Sequence, residues 1–343
     1  VKAAARAPAR VRAAFLEDSR LNWGADRKSA RRSVKGRREI MLVRIAQAIV
    51  VATLLCSVTT VPAATTQRPD LFPERWIDGT MTQEPAAQVQ ALDGDTFVIR
   101  QSIKTNFEAP FLYLLFGQDK ALLIDTGAQG GQIRPAVDRL VAEWLAAKGR
   151  THIHLVVAHS HSHGDHVAGD PAFRQRPDTT VIGLEPQDVS RFFGIGKWPE
   201  ELARFDLGGR ALTIIPAPGH QAAAIMIYDP QLRVLLSGDT LYPGRLYIPV
   251  NFLADNRASI DRVAAFAARH PIRAVLGAHV EMTRTPGRDY PHEAMSHPDE
   301  HSLEMPRHSI FELQKGLKAP LDVPEQPQAH DDFIIYPVAS RRD

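Results

Sequence analysis

Four short apolar runs in this 343-residue chain each stop at a residue able to bind a metal, and that repetition constrains the fold more than any other feature. IHLVVA leads into His161, His163, Asp165 and His166 of HSHGDH, LTIIP precedes His220, RVLLSG precedes Asp239, and RAVLGA precedes His279. A fifth run, ALLID, ends at Asp125. Each has the length and the branched, apolar make-up of a buried strand. Strands that release polar residues at their C-terminal ends gather them along one edge of a sheet. The sequence therefore predicts an α/β protein whose site is a seam of loops.

Spacing sets the chemistry of that seam. In an extended segment, side chains two apart emerge on one side, so His161 and His163 can reach one cation through neutral imidazole nitrogens. Asp165 and His166 follow at once, and where the chain bends into a helix at Gly164 they turn toward a neighbouring ion. Asp165 adds the negative charge that a second dication needs near the first. Seven such ligands suit a two-metal hydrolytic centre. Two dications about 3.5–4 Å apart share a water, lower its pKa until hydroxide is available near neutrality, and polarise the carbonyl under attack. Asp239, with two oxygens, can bridge them. Nitrogen and carboxylate donors without a thiolate suit two zinc ions and leave iron and manganese open.

The ordered set resembles the metallo-β-lactamase-fold hydrolases. Their HxHxDH signature matches residues 161–166, their third histidine His220, their bridging aspartate Asp239 and their final histidine His279. The resemblance implies a four-layer αββα sandwich, with two central mixed sheets, outer helices and the metals in a cleft at one edge. His161, His163 and His220 would hold the first ion, and Asp165, His166 and His279 the second. Asp125 is implied as a residue that orders the ligand loops; a turn-forming Asp in D-T-G is the alternative. Asp165 and Tyr242 are the candidate catalytic side chains. Lactonases of this fold place a tyrosine three residues beyond the bridging aspartate to bond the substrate carbonyl, whereas glyoxalase-like members have Phe there, which would make Tyr242 a packed aromatic.

The same comparison narrows the substrate. True β-lactamases of the fold carry Cys or Ser where this chain has Asp239, oxygen-reducing di-iron members carry Glu where it has His163, and the glyoxalase II, lactonase and esterase branches carry a bridging Asp. The reading taken is a dinuclear zinc hydrolase that attacks the carbonyl of an ester, thioester or lactone. A β-lactam hydrolase is the alternative. From another class, a non-catalytic metal-binding or sensor protein would require a lost ligand, and none is missing. Specificity is expected in residues 191–205 and in the region after His279, because loops carry such contacts.

Charge and the amino terminus set the compartment. Residues 1–40 carry a net charge of +8 while the whole chain carries +2. After them come Met41, Arg44, an apolar stretch from about Ile45 to Val58, and Val61 and Ala63 placed for cleavage. This reads as a secretory signal peptide over 41–63, too short to span a membrane, with 1–40 a mis-called upstream extension and translation beginning at Met41. A genuine basic arm and a lipoprotein are the alternatives, but Leu55 before Cys56 departs from the small residue of lipidation signals. The processed chain would be periplasmic or secreted, free of cysteine and acidic, with a net charge of −7. That balance argues against nucleic acid as a partner and for a small-molecule substrate without stable membrane insertion.

The remaining elements follow from periodicity. TFVIR and FLYLLF read as strands ahead of ALLID, and Ile133, Val137, Leu140, Val141, Trp144 and Leu145 share one face of a surface helix. A second helix is expected from Ser259 as N-cap until His270-Pro271 stops it. Domain boundaries fall at 64–90 for a lead-in covering an edge, 91–315 for the catalytic domain and 316–343 for a Pro-rich tail in which only FIIYPV looks able to pack. His159 is assigned to loop support, His152 and His154 to the solvent side of a strand, and His292, His297, His301 and His308 to a polar loop. Tyr247 is assigned to core or rim packing.

Overall fold

Burial of the predicted strands on both faces is what builds the layers. The computed structural model describes residues 71–321 and 326–339. The proposed upstream extension, the signal segment with Cys56, and the cleavage point at Ala63 therefore lie outside the described residues. In the first sheet, β1 (Ala87–Asp93), β2 (Thr96–Gln101), β3 (Phe111–Phe116), β4 (Lys120–Ile124), β5 (His154–Ala158) and β6 (Thr179–Val181) lie side by side in chain order. β1 to β4 pair antiparallel, and β4, β5 and β6 pair parallel. The second sheet contains β7 (Ala203–Asp206), β8 (Ala211–Pro216), β9 (Ile225–Asp229) and β10 (Val234–Gly238). β11 (Arg245–Pro249) leaves it, and β12 (Ala274–Gly277) and β13 (Glu304–Met305) complete it beside β10.

Because neighbouring side chains point to opposite faces, each strand feeds two cores. Phe111, Tyr113 and Leu115 of β3 join Leu122, Ile214, Ile227 and Leu236 between the sheets. Leu112, Leu114 and Phe116 face outward against Val137, Leu140, Val141 and Trp144 of helix α1 (Ile133–Lys148). That helix closes on Gly149 in the left-handed region, the conformation in which glycine most often ends a helix. After it come the short α2 (Gly164–Val167) and α3 (Asp170–Arg174), then α4 (Pro186–Phe193). On the other face, Met226, Leu235 and Val275 pack under α5 (Leu253–Arg269) and α6 (His308–Gly316). The result is the expected αββα order.

Three boundaries differ from the sequence reading. α5 begins at Leu253, after a 3-10 turn at Val250–Phe252, so Ser259 sits inside the helix and caps nothing. Its hydroxyl instead donates to the Pro218 carbonyl at 2.7 Å, tying the helix to the His220 loop. The first strand starts at Ala87, ahead of residue 91, because β2 offers it a pairing edge. The tail is part of the fold: β14 (Gln328–Ala329) and β15 (Ile334–Val338) form a third sheet in which β15 pairs parallel with β11. Its Phe333 and Ile335 are fully buried against α5 and α6. In the lead-in, Trp76 meets Phe72 and Phe111 edge-on and covers one end of the inter-sheet core.

Candidate metal centre

The site forms where β4, β5, β8, β10 and β12 run out. Immediately after β4, Asp125 takes φ +69°, a left-handed conformation that Asp tolerates better than most residues. The turn aims its carboxylate at the next loop, where it accepts the Ser160 N–H at 2.7 Å and the Ser160 hydroxyl at 2.9 Å. The same carboxylate accepts from His166 Nδ1 at 2.9 Å. From this anchor the chain bends through His161, and His163, in extended conformation, starts the short helix that carries Asp165 and His166. Two ligands thus precede the helical turn and two leave it.

Seven side chains meet in two adjoining groups. His161, His163 and His220 present nitrogens within 4.8 Å of one another, and so do the ligating atoms of Asp165, His166, Asp239 and His279. In the first group His163 Nδ1 lies 3.0 Å from His161 Nε2 and 3.1 Å from His220 Nε2. In the second, Asp165 Oδ2 lies 3.0 Å from His166 Nε2 and 3.2 Å from His279 Nε2. Asp239 straddles both. Its Oδ1 is 3.3 Å from His279 Nε2 and 3.4 Å from His166 Nε2, while its Oδ2 is 3.7 Å from His220 Nε2 and 3.8 Å from His161 Nε2. Asp239 Oδ1 is buried without a hydrogen bond. Facing nitrogens and an orphaned carboxylate oxygen are costly to bury unless a cation sits among them. The donor set fits divalent ions.

The far side of each ring is held as metal-binding histidines require. His220 Nδ1 donates to the Tyr247 carbonyl at 2.9 Å, and His279 Nδ1 donates to the Glu108 carbonyl at 2.8 Å. Since the Ser160 hydroxyl proton goes to Asp125, Ser160 Oγ is left to accept from His161 Nδ1 at 3.2 Å. Each bond turns Nε2 inward.

The two groups differ electrically. Burial, then the neighbouring imidazoles, holds His161 and His163 below the ordinary imidazole range, so both stay neutral ligands. Burial also opposes charge on His166 and His279, but the carboxylates of Asp165 and Asp239 outweigh it and raise both rings above the ordinary imidazole range. Burial would raise the Asp239 carboxyl, yet His279, His166 and His161 together hold it well below its ordinary value. Asp165 is likewise held down by His166 and His279. The second group thus favours positive charge among its carboxylates. At the rim, burial and nearby carboxylates push Glu108 up to about 7.

Tyr242 has the packed role. Its ring lies 5.5 Å from that of His279, and its hydroxyl, fully buried, donates to the Arg245 carbonyl at 2.5 Å and stands 3.2 Å from Glu281. The one proton it could offer a substrate carbonyl is already committed. His159 bonds Asp170 at 2.8 Å and supports the ligand loop. His152 is exposed beside Asp178, and His154 meets Thr180 across the strands. His297 departs from the polar-loop reading: it is buried, stacks on Tyr290 and bonds Glu300, which in turn takes both guanidinium nitrogens of buried Arg100 at 2.5 Å. Ser160, Glu108 and Tyr247 are contributors the sequence reading missed. Ser160 was visible as the residue between the strand and His161. Glu108 and Tyr247 act through backbone carbonyls, which leave no side-chain signal.

Fold and site together define an αββα protein with two adjoining groups of metal-ligating side chains. The family profile described as Metallo-beta-lactamase superfamily matches residues 106–279, and the chain belongs to that superfamily. A hydroxyacylglutathione hydrolase of Rhizobium meliloti is 30% identical over 113 residues, covering 32% of this chain and 43% of that protein. The chain thus spans less than half the length of that relative. The acyl-coenzyme A thioesterase MBLAC2 of Gallus gallus is 27% identical over 204 residues, covering 50% of this chain and 72% of that protein. A solved metallo-beta-lactamase from Pontibacter korlensis aligns with TM-score 0.43 and 15% identity, over 68% of this chain and 100% of that one.

Proposed function

We propose that the protein is an exported hydrolase that uses two divalent metals, zinc in the first instance, to cleave a carbonyl ester bond, with thioesters ahead of esters and lactones. One observation carries the reading: Asp239 turns one oxygen to each donor group. Of the two relatives, one is named a thioesterase and the other a hydrolase of hydroxyacylglutathione, which supports thioesters.

Bound metals supply Lewis-acid polarisation of the carbonyl and a lowered pKa for water. The chain's own residues do the rest. His161, His163 and His220 would hold one ion, Asp165, His166 and His279 the other, with Asp239 between them. Asp125, through Ser160 and His166, fixes the ring orientations before substrate arrives, so that no reorganisation is spent during the reaction. Asp165, partly exposed, would accept a hydrogen bond from the attacking water and so orient it.

The proposal of export rests on the signal-like stretch 41–63. Among the described residues, no helix is long and apolar enough to cross a membrane. Expression of the full chain, recovery of the processed protein and metal analysis provide the test, with a panel of thioesters, aryl esters, lactones and a chromogenic cephalosporin. Two metals per chain, fastest turnover on a thioester and an amino terminus near Ala64 are expected. Metal-free protein at full activity, or a cephalosporin as the best substrate, would overturn the reading.

A further inference from the structure

One buried arginine joins the supports of two ligands that leave different turns. Arg245 opens β11, and two residues further along that strand the Tyr247 carbonyl accepts from His220 Nδ1. On the other side, two residues past His279, Glu281 grips Arg245 twice. Its Oε2 accepts the Arg245 backbone N–H at 2.8 Å, and its Oε1 accepts from Nη2 at 2.9 Å. The chain then turns back through residues 281–290, closed by the Tyr290 N–H donating to the Glu281 carbonyl at 2.8 Å. Arg245 Nη1 reaches the far end of that turn, donating to Asp289 at 2.9 Å and to the Tyr290 carbonyl at 2.7 Å. Its Nε donates to the Tyr247 hydroxyl at 3.0 Å.

These contacts decide between two roles. An arginine near a carbonyl-cleaving centre can bind an anionic substrate, but every nitrogen of this guanidinium already donates inside the fold, to four separate groups. Its charge is matched as well, because Glu281 and Asp289 flank it. What the guanidinium offers here is shape. A planar fork reaches acceptors on both sides at once, whereas the ammonium of lysine is a single point. Without the fork, two carboxylates would face each other with nothing between them, and the turn behind His279 would lose its hold on β11.

We propose that Arg245 is a positioning residue for the metal centre: it locks the turn that follows His279 to the strand that orients His220, and so holds one ligand of each donor group in a common register. The inference rests on the metal-binding half of the reading above and on no particular substrate. Groups behind metal-binding histidines set the ring orientation and through it the affinity. Arg245 acts one step further back, on two such supports together.

The test uses the full chain, loaded with zinc or with cobalt(II) as an optical probe. Arg245→Lys keeps the charge and loses the fork. It should weaken both ions about tenfold in competition with a chelator and shift the visible bands of the cobalt protein. Tyr247→Phe cuts the arm to the His220 strand and Asp289→Asn cuts one arm to the turn, so each should weaken one ion of the two. Should Arg245→Lys fail to fold, these single-arm variants carry the test. Cobalt bands and both affinities unchanged in every folded variant, even with a lowered melting temperature, would make Arg245 a packing residue and overturn the inference alone. A wild-type chain that binds no metal overturns the metal-centre reading, and the inference falls with it.

Discussion

At the scale of single residues, the centre depends on groups that never touch an ion. Asp125 holds Ser160 twice and His166 once, so the neutral Asp125→Asn keeps the shape but loses the acceptor that orients His166 Nδ1–H. Metal affinity should fall by about 10- to 100-fold, as read by competition with a chromogenic chelator; unchanged affinity would show that the loop holds itself. Asp239→Asn should act more severely, since an amide loses the charge that His279 and His166 require and bridges poorly, leaving about one metal per chain by elemental analysis. Tyr242→Phe should do the opposite of both. Its hydroxyl is spent on the Arg245 carbonyl, so the variant should lose about 1 kcal/mol of stability and keep kcat within about twofold. A fall in kcat of about tenfold or more with metal content intact would restore the oxyanion role. The ligands were legible in the sequence because their chemistry resides in side chains placed just after strands. The carbonyls of Glu108 and Tyr247 were not, because any residue could supply them and only the chain path brings them to His279 and His220.

At the scale of elements, strands that are continuous apolar runs were legible and the joints between elements were not. β3 reads correctly because both its faces are apolar, whereas the start of α5 depends on Ser259 meeting Pro218, a contact between distant segments. In the tail the sequence showed the strand, FIIYPV, but not its place: β15 lies against β11, the strand whose Tyr247 carbonyl fixes His220. Among the described residues, two ion pairs secure this tail, His330 with Glu312 and His301 with Asp332. His301 Nδ1 faces the Ser302 carbonyl at 2.7 Å and Nε2 faces Asp332 at 3.3 Å, so the doubly protonated ring satisfies both acceptors. Burial opposes that charge, but the Asp332 carboxylate and the carbonyl outweigh it and raise His301 above its ordinary 6.5. The hydrogen bond from His301 in turn lowers Asp332 below its ordinary 3.8. A raised histidine stabilises fully below its unfolded value and loses that contribution as pH rises through the folded one. A lowered aspartate stabilises above its unfolded value and loses that contribution in acid. The melting-temperature gap between wild type and Asp332→Asn should therefore be widest between pH 3.8 and 6.5 and shrink as pH rises further. A gap that stays constant through alkaline pH would show that the pair does not titrate with folding.

At the scale of the whole molecule, the donor groups join the two halves of the sandwich. His161, His163, Asp165 and His166 leave the first sheet, while His220, Asp239 and His279 leave the second, so each group draws on both. Backbone bonds close the same edge: Ile225 N–H donates to the Ser160 carbonyl at 2.8 Å and Phe111 N–H to the Ala278 carbonyl at 2.7 Å. One glycine beside a ligand shows how closely the halves approach: a Cβ on Gly238, at φ +53°, would stand 2.7 Å from Ser160 Cβ. The chain's one cysteine lies at position 56, outside the described residues, so among those residues no disulfide staples the sheets and bound metals would be the cross-link. A ligand that binds only the folded state adds about 2.7 kcal/mol at a hundredfold excess over its Kd. For a domain of this size that corresponds to about 5–10 °C in melting temperature. Chelation should lower the melting temperature by about that amount for each ion held, zinc should restore it, and Asp239→Asn, left with about one ion, should show about half the wild-type shift. Equal melting temperatures with and without chelator, in protein shown to have released its metal, would mean that the sheets are held by their apolar core alone.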